Sequence, residues 1–292
     1  MEALTPNRRK PYRSSLALDA WRRLLRDKLA IAGMVILGLF LLTALLAPLL
    51  SPYDPIVQAL VDRRQPPSAQ HWLGTDDLGR DMLSRIVFGT RLSLQVGIVS
   101  VSLAIVVGAL VGAVAGYLGG WFDALVMRLM DIMLAFPALL LAIAIVTILG
   151  PGLMNMLYAI AIVSIPAYAR IVRASVLSVR EQDFVLAALG IGATPGRVLF
   201  RHIVPNCLTP LIVQGTLGIG TAILDAAGLS FLGLGAQPPT PELGAMLGQG
   251  RAAVFTAPHI VLFPGIAIML TVLGFNLLGD GLRDALDPRL RL

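Results

Sequence analysis

The sequence predicts an all-α membrane protein of six transmembrane helices, and three observations carry that expectation. Of its 292 residues, 57% are hydrophobic and only 14% charged. With a mean hydropathy of +0.81, that leaves too few polar groups to cover a water-soluble globule of this size. The apolar residues fall in uninterrupted runs matching the roughly 20 residues a helical span needs, not in the weak alternation of an outer-membrane barrel. The basic residues are distributed unevenly between those runs.

Six spans fit, at 29–50, 92–118, 125–149, 153–178, 203–226 and 259–280, each long enough to cross with some tilt. An even number puts both termini on one side. With that side in the cytosol, the inner segments hold seventeen Arg and Lys, from Arg8 to Arg291. The outer segments hold six: Arg63, Arg64, Arg80, Arg85, Arg91 and Arg251. This positive-inside asymmetry places the loop 179–206 in the cytosol as well.

The chain then divides into a cytosolic tail (1–28), a first transmembrane helix (29–50), an extracytoplasmic segment (51–91), a transmembrane core (92–282) and a cytosolic tail (283–292). Ser14 to Lys28 alternates Leu16, Trp21, Leu24 and Leu25 with Arg22, Arg23, Arg26 and Lys28, the composition of a helix lying along the inner membrane surface. A solvated basic tail is the plainer alternative. The run from Leu29 to Leu50 is longer than the core of a secretory signal, and Ala47-Pro48-Leu49 makes a poor cleavage site, so it reads as a retained span.

The outer segment carries Pro52, Pro55, Pro66 and Pro67 and the charged cluster Asp76, Asp77, Arg80 and Asp81. It is long enough to reach a soluble partner. It could equally form a cap held by local pairs such as Asp77 with Arg80 or Asp81 with Arg85, each worth about 0–1 kcal/mol when exposed. In the second span Gly108, Gly112, Gly116 and Gly120 recur every four residues, which lines glycine along one face and lets a neighbouring backbone approach closely. Pro137, Pro166 and Pro264 fall inside the third, fourth and sixth spans and predict bends there.

Ionisable residues within the spans are few. Arg128 and Asp131, one turn apart, are expected to pair near the inner end of the third span. Asp225 lies toward the outer end of the fifth, either as a polar element of an outer gate or as an interfacial helix-end carboxylate. A single cysteine, Cys207, and three scattered histidines, His71, His202 and His259, offer neither an intrachain disulfide nor metal-ligand spacing. No phosphate-cradling Gly-Lys-Ser/Thr loop, no His-Glu-x-x-His and no Gly-x-Ser-x-Gly occurs. The Gly279-Asp280 pair has Leu277 where an intramembrane aspartyl protease needs glycine. The chain reads as non-catalytic.

Residues 183–206 form a polar, small-residue-rich interruption between two apolar stretches. Ala187 and Ala188 suit an exposed helical turn that another protein can approach. Gly192 permits a sharp bend through left-handed backbone angles. Pro195 suits the first turn of a second short helix carrying Arg197 and Arg201 one turn apart, and Pro205 precedes the return into lipid.

The Ala187-Ala188 pair, the three residues to Gly192, and the downstream Pro205-Asn206 resemble the cytosolic loop motif of bacterial ABC-importer permeases. Leu16 to Pro55, His71 to Asp81, Leu229 to Glu242 and Gly279 to Pro288 are similar to the C-type permease of dipeptide, oligopeptide, glutathione and nickel importers. Nearly the whole chain is covered. Leu186 departs from the pattern, standing where the broad motif often carries Glu, so small-residue packing must carry more of the contact.

The resemblance implies a type I ABC importer permease fold in the bacterial inner membrane. It implies docking onto cytosolic ATPases through Asp183, Phe184, Ala187, Ala188, Gly192, Arg197, Arg201 and Pro205. It further implies a homologous second permease, two ATPases that hold ATP and Mg while this chain binds no cofactor, and an extracytoplasmic solute-binding protein. Asp76, Asp77, Arg80 and Asp225 are the candidates for contact with that protein or for an outer gate, and Gly108, Gly112 and Gly116 for helix packing. Dipeptides or oligopeptides are the expected substrate class, with glutathione or nickel as alternatives. An ion-coupled secondary transporter is the rival class, and the lack of mid-membrane carboxylates argues against it, since burying a charge there costs at least about 2.5–3.5 kcal/mol.

Overall fold

The computed structural model describes residues 21–286. Among them every regular element is helical, and the one extended pairing is an isolated bridge between Thr75 and Asp81. The helices of eight residues or more are α1 (Lys28–Leu45), α2 (Met82–Leu118), α3 (Gly120–Leu134), α4 (Ala138–Leu149), α5 (Leu153–Val179), α6 (Asp183–Gly190), α7 (Leu208–Phe231), α8 (Leu243–Gly250) and α9 (His259–Leu286). Of the expected surface helix, 21–24 is helical, and its first residues, Ser14 to Ala20, lie outside the described part.

Five elements are long and apolar enough to cross a membrane: α1, α2, α5, the helical run Pro195–Phe231 that ends in α7, and α9. The third span, expected as one helix over 125–149, is instead the pair α3 and α4, bent by 93°. Pro137 accounts for the break. It has no N–H to donate to Met133, and its ring drives the preceding residue out of the helical region. The α3 ladder closes on Ala135, whose N–H reaches the Asp131 and Ile132 carbonyls, and α4 starts anew behind Pro137. Pro166 and Pro264, by contrast, sit buried inside the continuous helices α5 and α9.

α2 begins ten residues before the expected span. Asp81 caps it, accepting a hydrogen bond from the Ser84 N–H at 2.8 Å, and its 37 residues extend about 55 Å, well beyond a hydrocarbon core of about 30 Å. The first turns of α2 therefore extend beyond the hydrocarbon core, where Met82 packs with Ala227, Met246 and Ile260.

α5 lies along the glycine face of α2. A Cβ built on Gly112 would stand 2.2 Å from the Ala169 carbonyl oxygen, one on Gly108 2.8 Å from that of Ile165, and one on Gly116 3.2 Å from that of Arg173. Gly120, the fourth of the repeat, meets nothing within 4 Å and instead opens α3. The contacts advance in the same sense on both helices, so α2 and α5 are parallel. Ser100 Oγ adds a hydrogen bond to the Leu157 carbonyl at 3.1 Å.

α7 opposes α2, with Gly97 against Ile223 and Gly215 against Ile105. α9 opposes α7, with Gly279 against Leu217, and α1 opposes α9, with Gly33 against Leu278. The main core, with Val101, Ile160, Val172 and Leu211, lies among α2, α5 and α7. α1 is peripheral, and Leu39, Leu42 and Leu45 stay exposed, as suits a surface facing lipid.

This order puts residues 21 and 286 and the loop 183–206 at one end of the bundle. The segments 51–81 and 232–258 form a cap at the other. The bent pair crosses between them, from Gly120 at the loop end to Gly150–Gly152 at the cap end, where the Gly152 N–H meets the Leu234 carbonyl at 3.1 Å.

Matched substitutions check the seam. Gly112→Ala should destabilise the purified protein by about 1–3 kcal/mol, whereas Gly38→Ala on α1, with nothing within 4 Å of its Cβ, should leave the thermal midpoint unchanged or slightly raised. Equal midpoints for the two variants would remove the seam from the account of the fold.

Candidate docking loop and outer cap

The loop is a helix, a tight turn and a helical return. α6 ends in a paired closure: the Ala193 N–H reaches the Ala188 carbonyl and the Gly192 N–H that of Leu189, both at 3.0 Å. Gly192 between them takes φ +84°, the left-handed backbone for which glycine carries no Cβ penalty. Ala193 then packs back on the core.

The return is one helical run rather than a separate short helix. Pro205 cannot donate to Arg201, so the ladder slips locally, and the Val204 N–H reaches back five residues to Leu199. Val198–Ile203 is a π turn and Val204–Cys207 a 3₁₀ turn before α7.

Val185, Val198, Leu199 and Ile203 anchor the loop in the core. Ala188 is also turned inward, 6% exposed, which corrects the expectation that both alanines face outward. Exposed on the loop are Ala187 with the apolar Phe184, Leu186, Leu189, Ile191 and Phe200, interspersed in the chain with the charged Asp183, Arg197 and Arg201. Neither arginine is ion-paired among the described residues. Pro205 is exposed beside them.

Behind the loop, α3 is clamped to α5. Arg173 donates from Nε and Nη2 to the two oxygens of Asp123, each at 2.5 Å. Asp131 pairs with Arg170 on α5, not with Arg128 on its own helix, because α3 lies against α5 and Arg128 points away, exposed. Arg180 donates to the Gly116 carbonyl at 3.1 Å.

The cap is built around buried charge. Asp76 is 5% exposed and Arg80 3%. Gly79, at φ +72°, folds the chain back so that the Asp76 carboxylate accepts from the Leu78 and Arg80 N–H groups at 2.8 and 2.9 Å and from Arg80 Nε at 2.6 Å. Asp81 accepts from Ser84 Oγ at 2.7 Å and pairs with His71 Nδ1 at 2.9 Å. The pairs are thus Asp76 with Arg80, Asp77 with Arg64 and Asp81 with His71, replacing the expected Asp77–Arg80 and Asp81–Arg85. Of the outer candidates, Asp77 is half-exposed, whereas Asp76 and Arg80 face inward and hold the cap itself.

The burial of two cap residues escapes sequence reading. Arg85, in the first turn of α2, is 1% exposed, donates from Nη1 to the Pro55 carbonyl at 3.1 Å, and lies 3.4 Å from Asp76. Glu242, also 1% exposed, caps α8 through the Gly244 and Ala245 N–H groups at 3.1 and 2.8 Å. Burial pushes its carboxyl above the usual range, against the pull of Ala245, Gly244, Ser230 and Ser93. Nothing in the local sequence distinguishes either from an exposed charge.

Asp225 is half-buried on α7, six residues before its end, with no hydrogen bond or ion pair among the described residues. It falls on a stripe with Pro210, Gln214, Thr221 and Gly228, none of them buried. Cavities flank the stripe at both ends of the bundle. One of about 300 Å³ is lined by Thr209, Gln214 and Arg283, and one of about 240 Å³ by Ser230, Gln237 and Arg251.

The family described as "Binding-protein-dependent transport system inner membrane component" covers residues 104–292, and the N-terminal TM domain of oligopeptide transport permease C covers 15–67. The chain is 54% identical to the dipeptide transport system permease protein DppC of Alkalihalophilus pseudofirmus, over 98% of this chain and 95% of the relative. It is 48% identical to the glutathione transport system permease protein GsiD of Pectobacterium atrosepticum, over 97% and 93%. Among solved structures, the inward-facing MetNI methionine ABC transporter superposes with a TM-score of 0.58 at 20% identity, covering 70% of this chain and 97% of that one. That likeness concerns the fold. The chain belongs to the binding-protein-dependent transport inner membrane component family, and it is a permease subunit of an ABC importer.

The cap separates its two acidic neighbours experimentally. Asp76→Lys should lower the thermal midpoint sharply, since breaking a buried pair typically costs about 3–5 kcal/mol, while Asp77→Lys should shift it by less than about 1 kcal/mol. A thermal melt of each purified variant reads the difference, and similar shifts for both would contradict the burial pattern.

Proposed function

We propose that this chain is the C-type permease of a bacterial inner-membrane importer for dipeptides or similarly short peptides. The single observation that carries this reading is the loop 183–206, whose apolar face is held rigidly on the bundle and left uncovered. The 54% identity to a dipeptide permease along nearly the full chain supports the substrate class. Glutathione is the second reading, favoured by the 48% identical relatives named for it.

In this reading two cytosolic ATPases, which hold ATP and Mg, dock on Phe184, Leu186, Ala187, Leu189 and Ile191, with Arg197 and Arg201 at the rim. The chain itself is non-catalytic. A homologous second permease covers the α7 stripe, and Gln214, Thr221 and Asp225 line the path between the two subunits. An extracytoplasmic binding protein delivers the solute at the cap, with Asp77 in reach. Closure of the ATPases moves the loop as a lever because Val198, Leu199 and Ile203 tie it into the core, and the path reorients by alternating access.

Gly192→Val tests the lever. A β-branched residue is strained at φ +84°, while the space around Gly192 is open, so the variant should insert at normal levels yet lose ATP-dependent uptake of a dipeptide such as glycylglycine by more than tenfold. Undiminished transport would remove the turn from the coupling mechanism.

The orientation is tested by cysteines at Arg26 and Ser68 in a Cys207→Ser background. Only the Ser68 site should react with a membrane-impermeant thiol reagent in intact cells. Labelling at Arg26 from outside would invert the topology.

A further inference from the structure

We propose that the cap holds a small monovalent anion of chloride size, bound by the guanidinium of Arg85 with support from Arg80. The argument starts from unpaired donors. Arg85 is among the largest fully buried side chains of the protein, and its Nε and Nη2 have no hydrogen-bond partner among the described residues. The nearest carboxylate oxygen, Asp76 Oδ2, is 3.4 Å from Nε and already engaged by Arg80 Nε at 2.6 Å. A buried cationic N–H without an acceptor carries its full desolvation cost, more than that of a neutral group.

Charge balance points the same way. Arg80 and Arg85 face one shared carboxylate, Asp76. Asp77 also borders the site, but its carboxylate is taken up by Arg64. Asp81 is occupied by His71 and Ser84, and Glu242 by the α8 N-terminus. Two guanidinium groups thus share the Asp76 carboxylate, and Asp81 is turned to His71 and Ser84 instead. A water molecule supplies Arg85 an acceptor, whereas an anion supplies one whose charge complements both guanidinium groups.

The space selects the size. A cavity of about 20 Å³ adjoins Arg85, lined by Asp76, Arg80, Met82, Met246, Gln249 and Ile260 among others. That is above the roughly 10–15 Å³ one water-sized particle requires and matches a single small ion. Arg80 Nη2 donates to Gln249 Oε1 across its rim at 3.2 Å. The ion would thus link the 51–81 segment and the start of α2 to α8.

The test is a thermal melt of the full-length chain, purified in detergent with the subunits that co-purify, in sodium chloride and in sodium gluconate at equal ionic strength. Chloride should raise the midpoint saturably by about 2–4 °C, bromide should replace it, and Arg85→Gln should abolish the response. Because Arg85→Gln also removes the bond to the Pro55 carbonyl, Gln249→Glu gives a second arm. It places a tethered carboxylate beside Arg80, and should raise the midpoint in gluconate and remove the chloride response. Equal midpoints of the native protein in the two salts would mean that water alone satisfies Arg85, overturning the proposal. A chloride response that persists in both variants belongs to another site and overturns it as well.

Discussion

The contact between the glycine face of α2 and the backbone of α5 is the constraint on which the rest of the structure depends. Carbonyl oxygens of α5 stand where side chains on α2 would otherwise project, and in lipid such close packing does the work that hydrophobic burial does in water. α2 thereby becomes a mast. α7 packs against it from the other direction, α5 carries the loop 183–206 at its far end, and the first turns of α2 carry the charged cap. Because α2 and α5 run parallel, their C-terminal ends meet at the same end of the bundle, where Arg173 and Arg180 tie α5 to α3 and α2.

The two ends of this mast solve opposite problems. At the cap, charged groups are drawn inward and satisfied one by one through turns, caps and pairs, leaving Arg85 as the exception. At the loop, apolar groups are pushed outward and left uncovered, while a smaller set underneath fastens them to the bundle. Polar groups inside and apolar groups outside invert the usual arrangement of a soluble surface. Each inversion marks where this subunit differs from a passive bundle.

Much of this was legible in the sequence. The apolar runs located the five long helices and the broken pair between them, the four-residue glycine spacing marked the packing face of α2 at Gly108, Gly112 and Gly116, and Gly192 marked the turn. What escaped had physical reasons. Pro137 was read as a bend in one helix, but local sequence does not say whether neighbouring helices hold a proline kink gently, as around Pro166, or let it open to a right angle. Asp131 finds Arg170 on α5 and Arg85 reaches back to the Pro55 carbonyl, so nearest-neighbour spacing paired both wrongly. Ala188 turned inward because the phase of so short a helix is fixed by its anchoring residues, not by its own composition.

The right-angle break before α4 bears on how such a subunit survives between synthesis and assembly. Pro137 leaves carbonyl groups near the end of α3 without their helical donors, and Leu134 and Phe136 beside them are exposed. Hydrocarbon does not tolerate uncovered irregular backbone. A copy inserted on its own therefore holds a polar fault in contact with lipid until another surface or a water-filled path covers it. The break is therefore the part of the bundle that gains most from a covering surface.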